Sequence, residues 1–141
     1  MNSGWFRVMD VSASALAAQR SRMEAVASNL ANAQTTRTPE GGPYRRRDVV
    51  FEATPVARAF DDVLAGAVRG VRVADVVEDP SPPRLRYEPG HPDADTQGFV
   101  AYPNVEVPVE MVNLLSAARS YEANVTVIEA TKNMLLRALE I

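Results

Sequence analysis

The 141-residue sequence contains no cysteine, and only 6% of its residues are aromatic. Without cysteine the chain forms neither a disulfide framework nor a thiolate-based site. Basic charge is not in excess, since the formal net charge is −3. A nucleic-acid-binding protein usually shows a basic face or stripe, so we expect no nucleic-acid partner.

Long apolar runs are also absent. No segment approaches the ~20 consecutive apolar residues that span a bilayer. The N-terminal segment carries charged residues throughout and lacks the apolar core of a secretory signal peptide. We therefore expect no direct membrane insertion and no cleavable signal peptide.

Motifs for catalysis and cofactor binding are missing as well. The sequence has no Gly-rich phosphate loop, nucleophile elbow or zinc signature. His91 is the only histidine and is expected to be a turn residue. The run that begins at Asp93 resembles the start of an EF-hand loop, but Asn104 stands where the bidentate Glu is needed. Arg45–Arg47 is expected to be solvated surface, with phosphate or acidic-partner binding as the alternative. We expect no enzyme, no cofactor and no metal.

What the chain does have is an apolar residue at every seventh position near each end. The two series are Met9, Leu16, Met23 and Leu30, and Leu114, Tyr121, Ile128 and Leu135. Seven-residue spacing keeps such side chains on one face of an α-helix, so each end is predicted to form a long helix with an apolar seam. The residues four positions after seam members are expected to let the two helix backbones approach closely; they are Ala13, Ala27, Ala118 and Val125.

These patterns predict an α+β fold in which two long terminal helices pair like a coiled coil around a small β insertion. We expect a helical core domain made of residues 1–36 and 108–141, with a β-rich middle region at 37–107. Pro108 is predicted to start the second helix. Strands are predicted at 44–53, 70–77, 84–87 and 98–102, with the second pairing with the third across a proline-rich turn.

The C-terminal helix is predicted to be apolar on two faces. One broad face carries the seam together with Met111, Leu115, Val125 and Leu139, and it is expected to pack on the N-terminal helix. The opposite face carries Val109, Val112, Val127, Met134 and Ile141. A helix with one partner should have a polar back, so the opposite face is expected to bind another molecule. The alternative is that the middle β element covers it.

An isolated two-helix hairpin buries too little apolar surface to offset the entropy of ordering two long helices. We therefore expect both ends to be largely unfolded in the isolated monomer and to become helical on assembly.

The predicted N-terminal helix closes on the run Ser28, Asn29, Leu30, Ala31 and Asn32, which continues in Gly41-Gly42-Pro43-Tyr44. Two later stretches, 91–105 and 110–125, are also distinctive. In these segments the sequence resembles the bacterial flagellar axial proteins, and within them the rod proteins. The first run is similar to the motif that closes the N-terminal helix of rod proteins, and its continuation and the run 91–105 are similar to short rod proteins. The stretch 110–125 resembles the C-terminal helix of the whole axial family. Only about 70 residues separate the helices, whereas distal-rod and hook proteins carry a larger insertion.

The resemblance implies a structural subunit of the proximal rod in the flagellar basal body. Such a subunit assembles helically in the periplasm and transmits motor torque toward the hook. The implied partners are copies of itself, other rod proteins, the rod adaptor at the membrane ring and the flagellar type III export apparatus. The alternative is a soluble coiled-coil adaptor or dimerisation module without a flagellar role, which would form a closed dimer.

Overall fold

The computed structural model describes residues 3–55 and 68–140. Its elements in chain order are α1 (Ser3–Ala31), β1 (Arg47–Pro55), β2 (Arg69–Glu78), β3 (Arg84–Tyr87), β4 (Phe99–Tyr102) and α2 (Val107–Leu139). The predicted α+β class is confirmed, with a long helix toward each end and a small β element between them.

Local chemistry explains where the helices stop and start. After α1, the Asn32 side chain donates to the carbonyl of Ser28 at 3.0 Å, and Thr35 Oγ1 donates to Asn32 Oδ1 at 3.1 Å. The amide of Asn32 still donates to Ser28 O, but the amides of Ala33 and Thr35 donate to carbonyls three residues back, which ends the α-helical pattern in tighter turns. Pro108 lies in the first turn of α2, where its missing N–H needs no partner. The predicted helix start at 108 is therefore correct to one residue.

The two helices pack against each other as an antiparallel pair. The last turn of α1 meets the first turn of α2, where Asn29 Nδ2 lies 3.1 Å from Glu110 Oε2. All eight members of the two seven-residue series are half-buried. The buried residues of α2 are Glu110, Ala117 and Thr131, which together with half-buried Asn124 form a second series of the same spacing.

In α1, the small residues expected to lie at the close contact between the helices were wrongly predicted. Ala13 and Ala27 are exposed, while Ser12 and Val26 are buried. The buried positions lie three residues after seam members Met9 and Met23, not four. A helix turns about 100° per residue, so positions three and four after a seam residue flank it on opposite sides. In α2, Ala117, three residues after Leu114, is buried and Ala118 is half-buried, whereas after Tyr121 both Asn124 and Val125 are half-buried.

The strands form two separate antiparallel pairs. β1 pairs with β2 from Arg47 opposite Glu78 to Pro55 opposite Arg69, with an irregularity after Val50. β3 pairs with β4. The predicted pairing of 70–77 with 84–87 is therefore wrong. The connection between those segments contains Pro80, Pro82 and Pro83, which cannot donate to a ladder, and the amide of Asp79 instead donates to Arg46 O at 2.8 Å.

The β1–β2 pair lies on α1. The amide of Val71 in β2 donates to Ser14 Oγ at 3.1 Å, and the amide of Arg47 donates to Asn29 Oδ1 at 2.9 Å. α1 thus contacts both α2 and the β1–β2 pair. Neither helix, over the residues that the structure describes, has an apolar stretch long enough to cross a membrane.

The outer surface of α2 keeps many apolar side chains exposed. Its exposed residues include Val109, Val112, Val127 and Met134 from the predicted second face, and Val112 is 65% exposed. Ile141 lies outside the described residues. Met111, Leu115 and Leu139 were expected on the face that packs on α1, but they too are exposed, because the contact with α1 is centred on Ala117 and its series.

Candidate assembly site

The most densely bonded polar side chain between the helices is that of Asn29, in the last turn of α1. It is fully buried. Its Oδ1 accepts from the Tyr44 hydroxyl at 3.0 Å and from the amide of Arg47 at 2.9 Å. Its Nδ2 donates to Arg47 O at 2.8 Å and to Glu110 Oε2 at 3.1 Å. An amide side chain offers two donors and two acceptor lone pairs, so its hydrogen-bonding capacity is filled.

Glu110 brings a buried negative charge to the same place. It lies in the first turn of α2 and is 1% exposed. Arg46 Nε donates to Glu110 Oε1 at 2.7 Å, and Arg46 Nη1 donates to Asp48 Oδ2 at 3.2 Å. A buried carboxylate is tolerated only when it is paired and hydrogen-bonded, and here both oxygens are engaged. The position in the first helical turn also suits a negative charge, because the N-terminal end of a helix is partially positive.

Electrostatics keep Arg46 charged in this position. Burial opposes its charge, but the hydrogen bonds that Arg46 donates to Glu110 and Asp48, together with the negative charges of these two residues, outweigh that effect, so the pKa of Arg46 is raised. We call Asn29, Tyr44, Arg46 and Glu110 the polar clasp. The clasp joins the end of α1, the segment that enters β1 and the start of α2.

The motif that closes α1 contributes directly to the clasp. Ser28 Oγ lies 3.2 Å from the Tyr44 hydroxyl, and Asn32 caps the helix through the carbonyl of Ser28. Leu30 is half-buried and Ala31 is exposed. The resemblance marked Asn29, but nothing in the sequence indicated its bond to Glu110, which lies 81 residues away along the chain.

The basic run is divided among three environments. Arg45 is exposed, as expected for solvated surface. Arg46 is held in the clasp, so for this residue the expectation was wrong. Arg47 Nη2 lies 3.6 Å from Glu78 Oε1 across the β1–β2 pair.

The loop that resembles an EF-hand start is occupied by internal hydrogen bonds. Asp93 Oδ2 accepts from Thr36 Oγ1 at 2.8 Å, and His91 Nδ1 accepts from the amide of Asp93 at 3.0 Å. Asp95 Oδ1 accepts from the amides of Gln97 and Phe99. In the described ranges, no three His, Cys, Asp or Glu side chains gather in a way that could hold a metal ion.

A second group of exposed apolar side chains lies at the start of α1, at the end of the helix pair that is far from the clasp. Trp5 is 38% exposed, Phe6 54% and Val8 43%. These residues fall outside the seven-residue series, so the spacing of apolar residues did not predict this exposed group. The helix pair therefore exposes apolar side chains on α1 near one end and along the outer surface of α2.

Comparison with known proteins gives first the class of protein. Residues 9–37 match the family model described as "Flagella basal body rod protein". Residues 96–141 match the family model "Flagellar basal body rod FlgEFG protein C-terminal". All of α2 and the part of α1 from residue 9 onward, including the clasp residues Asn29 and Glu110, thus fall in segments typical of flagellar rod proteins.

Curated relatives then show which family of rod proteins the chain belongs to. A flagellar basal-body rod protein FlgC from Escherichia coli O6:H1 is 48% identical, covering 94% of this chain and 93% of the relative. FlgC from Bacillus subtilis is 47% identical over 96% of this chain and 97% of the relative. FlgC from Borreliella burgdorferi is 43% identical over 98% of this chain and 97% of the relative. The chain belongs to the FlgC family of flagellar basal-body rod proteins, which confirms the resemblance found in the sequence.

Proposed function

We propose that this chain is a structural subunit of the proximal rod in the bacterial flagellar basal body. Family membership carries the assignment to the rod, since near full-length relatives are named basal-body rod proteins. Those relatives are structural proteins and not enzymes. The alternative of a coiled-coil adaptor without a flagellar role has no support among them.

The helix pair supplies the assembly surface in this proposal. Residues 1–36 and 108–141 form the helical core domain, and residues 37–107 form the middle region. Seam residues hold α1 and α2 together; they are Met9, Leu16, Met23, Leu30, Leu114, Tyr121, Val125, Ile128 and Leu135, with Leu139 extending toward neighbours. The single observation that favours lateral assembly is the row of exposed apolar residues on the outer surface of α2, including Val109, Val112, Val127 and Met134.

Neighbouring subunits cover that row when the rod forms. Fully burying one such side chain contributes about 1.5–3 kcal/mol, so a row of partly exposed residues provides substantial association energy. Ile141 extends the row in sequence. Because the apolar contacts are distributed along long helices, torsional load from the motor is shared among many of them. In this proposal the row on one subunit packs against a different surface of the next, and such a heterologous contact builds an open helical assembly when the rotation between subunits does not close into a ring.

The chain interacts with other flagellar rod components, as its family does. We further propose that it contacts copies of itself and the adaptor between the rod and the membrane ring. We also propose that the flagellar type III apparatus exports it. Threading an unfolded chain through a narrow channel is compatible with a sequence that has no cysteine.

Gene deletion tests the function. Loss of swimming, with basal bodies that retain the membrane ring but lack the rod, is the expected result. Restoration by the intact gene is the control. A deletion strain that still builds complete rods would overturn the proposal.

Order in the isolated chain remains a prediction. We expect dilute monomer to show far less helix by circular dichroism than α1 and α2 contain together, 29 and 33 residues. Monomer that already contains helix over about 60 residues would contradict this expectation.

A further inference from the structure

The two apolar series leave the register of α1 against α2 underdetermined. Each series repeats every seven residues, so sliding one helix by seven residues superposes three of its four members on equivalent positions. Such a slip moves α2 by about 10 Å along α1. Apolar contacts are non-directional, so the seam by itself stabilises a slipped pair nearly as well as the native one. Another feature must select the register.

The second series on α2 is chemically varied, but most of it is indifferent to a slip. Asn124 Nδ2 donates to Ser120 O at 2.8 Å, and Thr131 Oγ1 donates to Val127 O at 2.8 Å. Both bonds stay within α2 and survive any movement of the helix. Ala117 has no polar side-chain atom. Glu110 is different, because its carboxylate is bonded to Asn29 on α1 and to Arg46 beside β1.

We propose that Glu110 is the residue that determines the register of the helix pair. The inference concerns contacts within one chain and does not depend on the assignment to the rod. Arg46 and Asn29 are both fixed relative to α1, through the bonds of Asn29 to the backbone of Arg47. A slip by seven residues in either direction removes the carboxylate from both partners at once.

The cost of the slipped states follows from burial. A slip one way places Glu110 opposite Arg22, where a new ion pair can form, but it leaves both Arg46 and the buried amide of Asn29 without their carboxylate partner. A slip the other way carries Glu110 beyond the end of α1. Buried ion pairs add little net stability, but separating one from its partner is strongly destabilising, and this asymmetry suits a role in specifying register. The buried charge thus penalises the wrong states more than it stabilises the right one.

Cysteine crosslinking distinguishes the registers, and the natural chain contributes no cysteine of its own. Ala15 lies two heptads before Asn29, and Asn124 lies two heptads after Glu110, so the two occupy corresponding places in the native antiparallel register. A pair Ala15→Cys with Asn124→Cys reports that register. Ala15→Cys with Ala117→Cys, or with Thr131→Cys, reports a slip of seven residues one way or the other. A short bismaleimide is applied to flagellated cells, and the intramolecular product is read as a mobility shift on immunoblots.

Glu110→Leu is the decisive variant, because an apolar residue of similar volume fills the site without a charge that must be paired. We expect the native product to fall and a slipped product to rise from a trace to at least about a tenth of it. Glu110→Gln keeps the hydrogen bond to Asn29 and should give a smaller rise. Glu106→Leu is the matched control: it makes the same replacement one turn earlier, at an exposed residue that pairs with Arg84, and should leave the native product alone.

Three outcomes would overturn the inference. In the first, Glu110→Leu gives an unchanged amount of native crosslinked product and no slipped product. Another is loss of the native product without any slipped product, which would mean a role in stability alone. The third is a Glu106→Leu variant that gives as much slipped product as Glu110→Leu does.

Discussion

Gly98 lies so close to Tyr87 that a Cβ atom at position 98 would be 2.9 Å from the Tyr87 ring and 3.2 Å from Pro89 Cβ. Its φ of +85° also lies in the left-handed region, which side chains rarely adopt. The glycine thereby lets residues 88–98 fold tightly, so that β4 can return to pair with β3, and the amide of Glu88 donates to Gly98 O at 2.9 Å.

Replacing this glycine should destabilise the middle region. We expect Gly98→Ala to lower the free energy of unfolding by about 1–3 kcal/mol, from backbone strain and the contact with Tyr87. Gly90→Ala is the matched control, since a Cβ there meets nothing within 4 Å. Urea unfolding of the purified chain, followed by near-ultraviolet circular dichroism, measures both. Equal stability of the two variants would show that the tight approach is not maintained in solution.

The outer surface of α2 gives a prediction about assembly. Val112 is 65% exposed, so Val112→Asp disturbs little of the contact between α1 and α2 and should leave the chain expressed and exported. Because burial of an unpaired carboxylate in an interface is costly, we expect loss of swimming and absence of the chain from isolated basal bodies. Asn133→Asp introduces a similar charge at an exposed polar position of the same helix and serves as the control. A Val112→Asp strain that swims normally would remove this residue from the proposed interface.

The helices could be predicted from the sequence because periodicity is local information. The seven-residue series predicted a long helix toward each end, and Pro108 marked the start of α2 to within one residue. α1 ends at Ala31, five residues before the predicted boundary at 36. Periodicity could not decide whether the residue three positions or the residue four positions after a seam member is buried between the helices. In α1 both candidates near Met9 are small, Ser12 and Ala13, and only packing against α2 decides which is buried.

The polar clasp was beyond reach for a different reason. Asn29 and Glu110 are 81 residues apart, and neither belongs to an apolar pattern. A buried carboxylate in a sequence looks like any exposed one until its partner is known. The strand pairing failed for a related reason: several short β segments were predicted correctly, but the partner of each depends on which loop can close, and Gly98 allows β4 to return to β3.

Tyr102 provides a test of the β3–β4 region by pH. Its hydroxyl donates to Glu88 Oε2 at 3.0 Å, and this hydrogen bond, with burial and the charge of Glu88, raises the pKa of Tyr102. A raised folded-state pKa means that the contribution to stability is fully present below the ordinary tyrosine pKa of about 10 and is lost as the pH rises through the folded value.

Glu88→Gln should therefore move one tyrosine titration to lower pH, as followed by phenolate absorbance. Tyr102→Phe should remove that same transition. If Glu88→Gln leaves the titration where it was, the hydrogen bond to Glu88 does not govern the ionisation of Tyr102.

Leu135 tests the seam at the end of α2. It is half-buried in the series that faces α1, whereas Ala138, almost one turn further, is exposed. Leu135→Asp places a carboxylate in the contact between the helices and removes apolar burial, a combined cost of about 2–4 kcal/mol. Because we propose that export handles unfolded chains, the variant should still be made and exported but should not enter the rod. Ala138→Asp should be incorporated. Immunoblots of whole cells and of isolated basal bodies separate these steps, and a Leu135→Asp strain with normal rods would show that this end of α2 is not held by α1 after assembly.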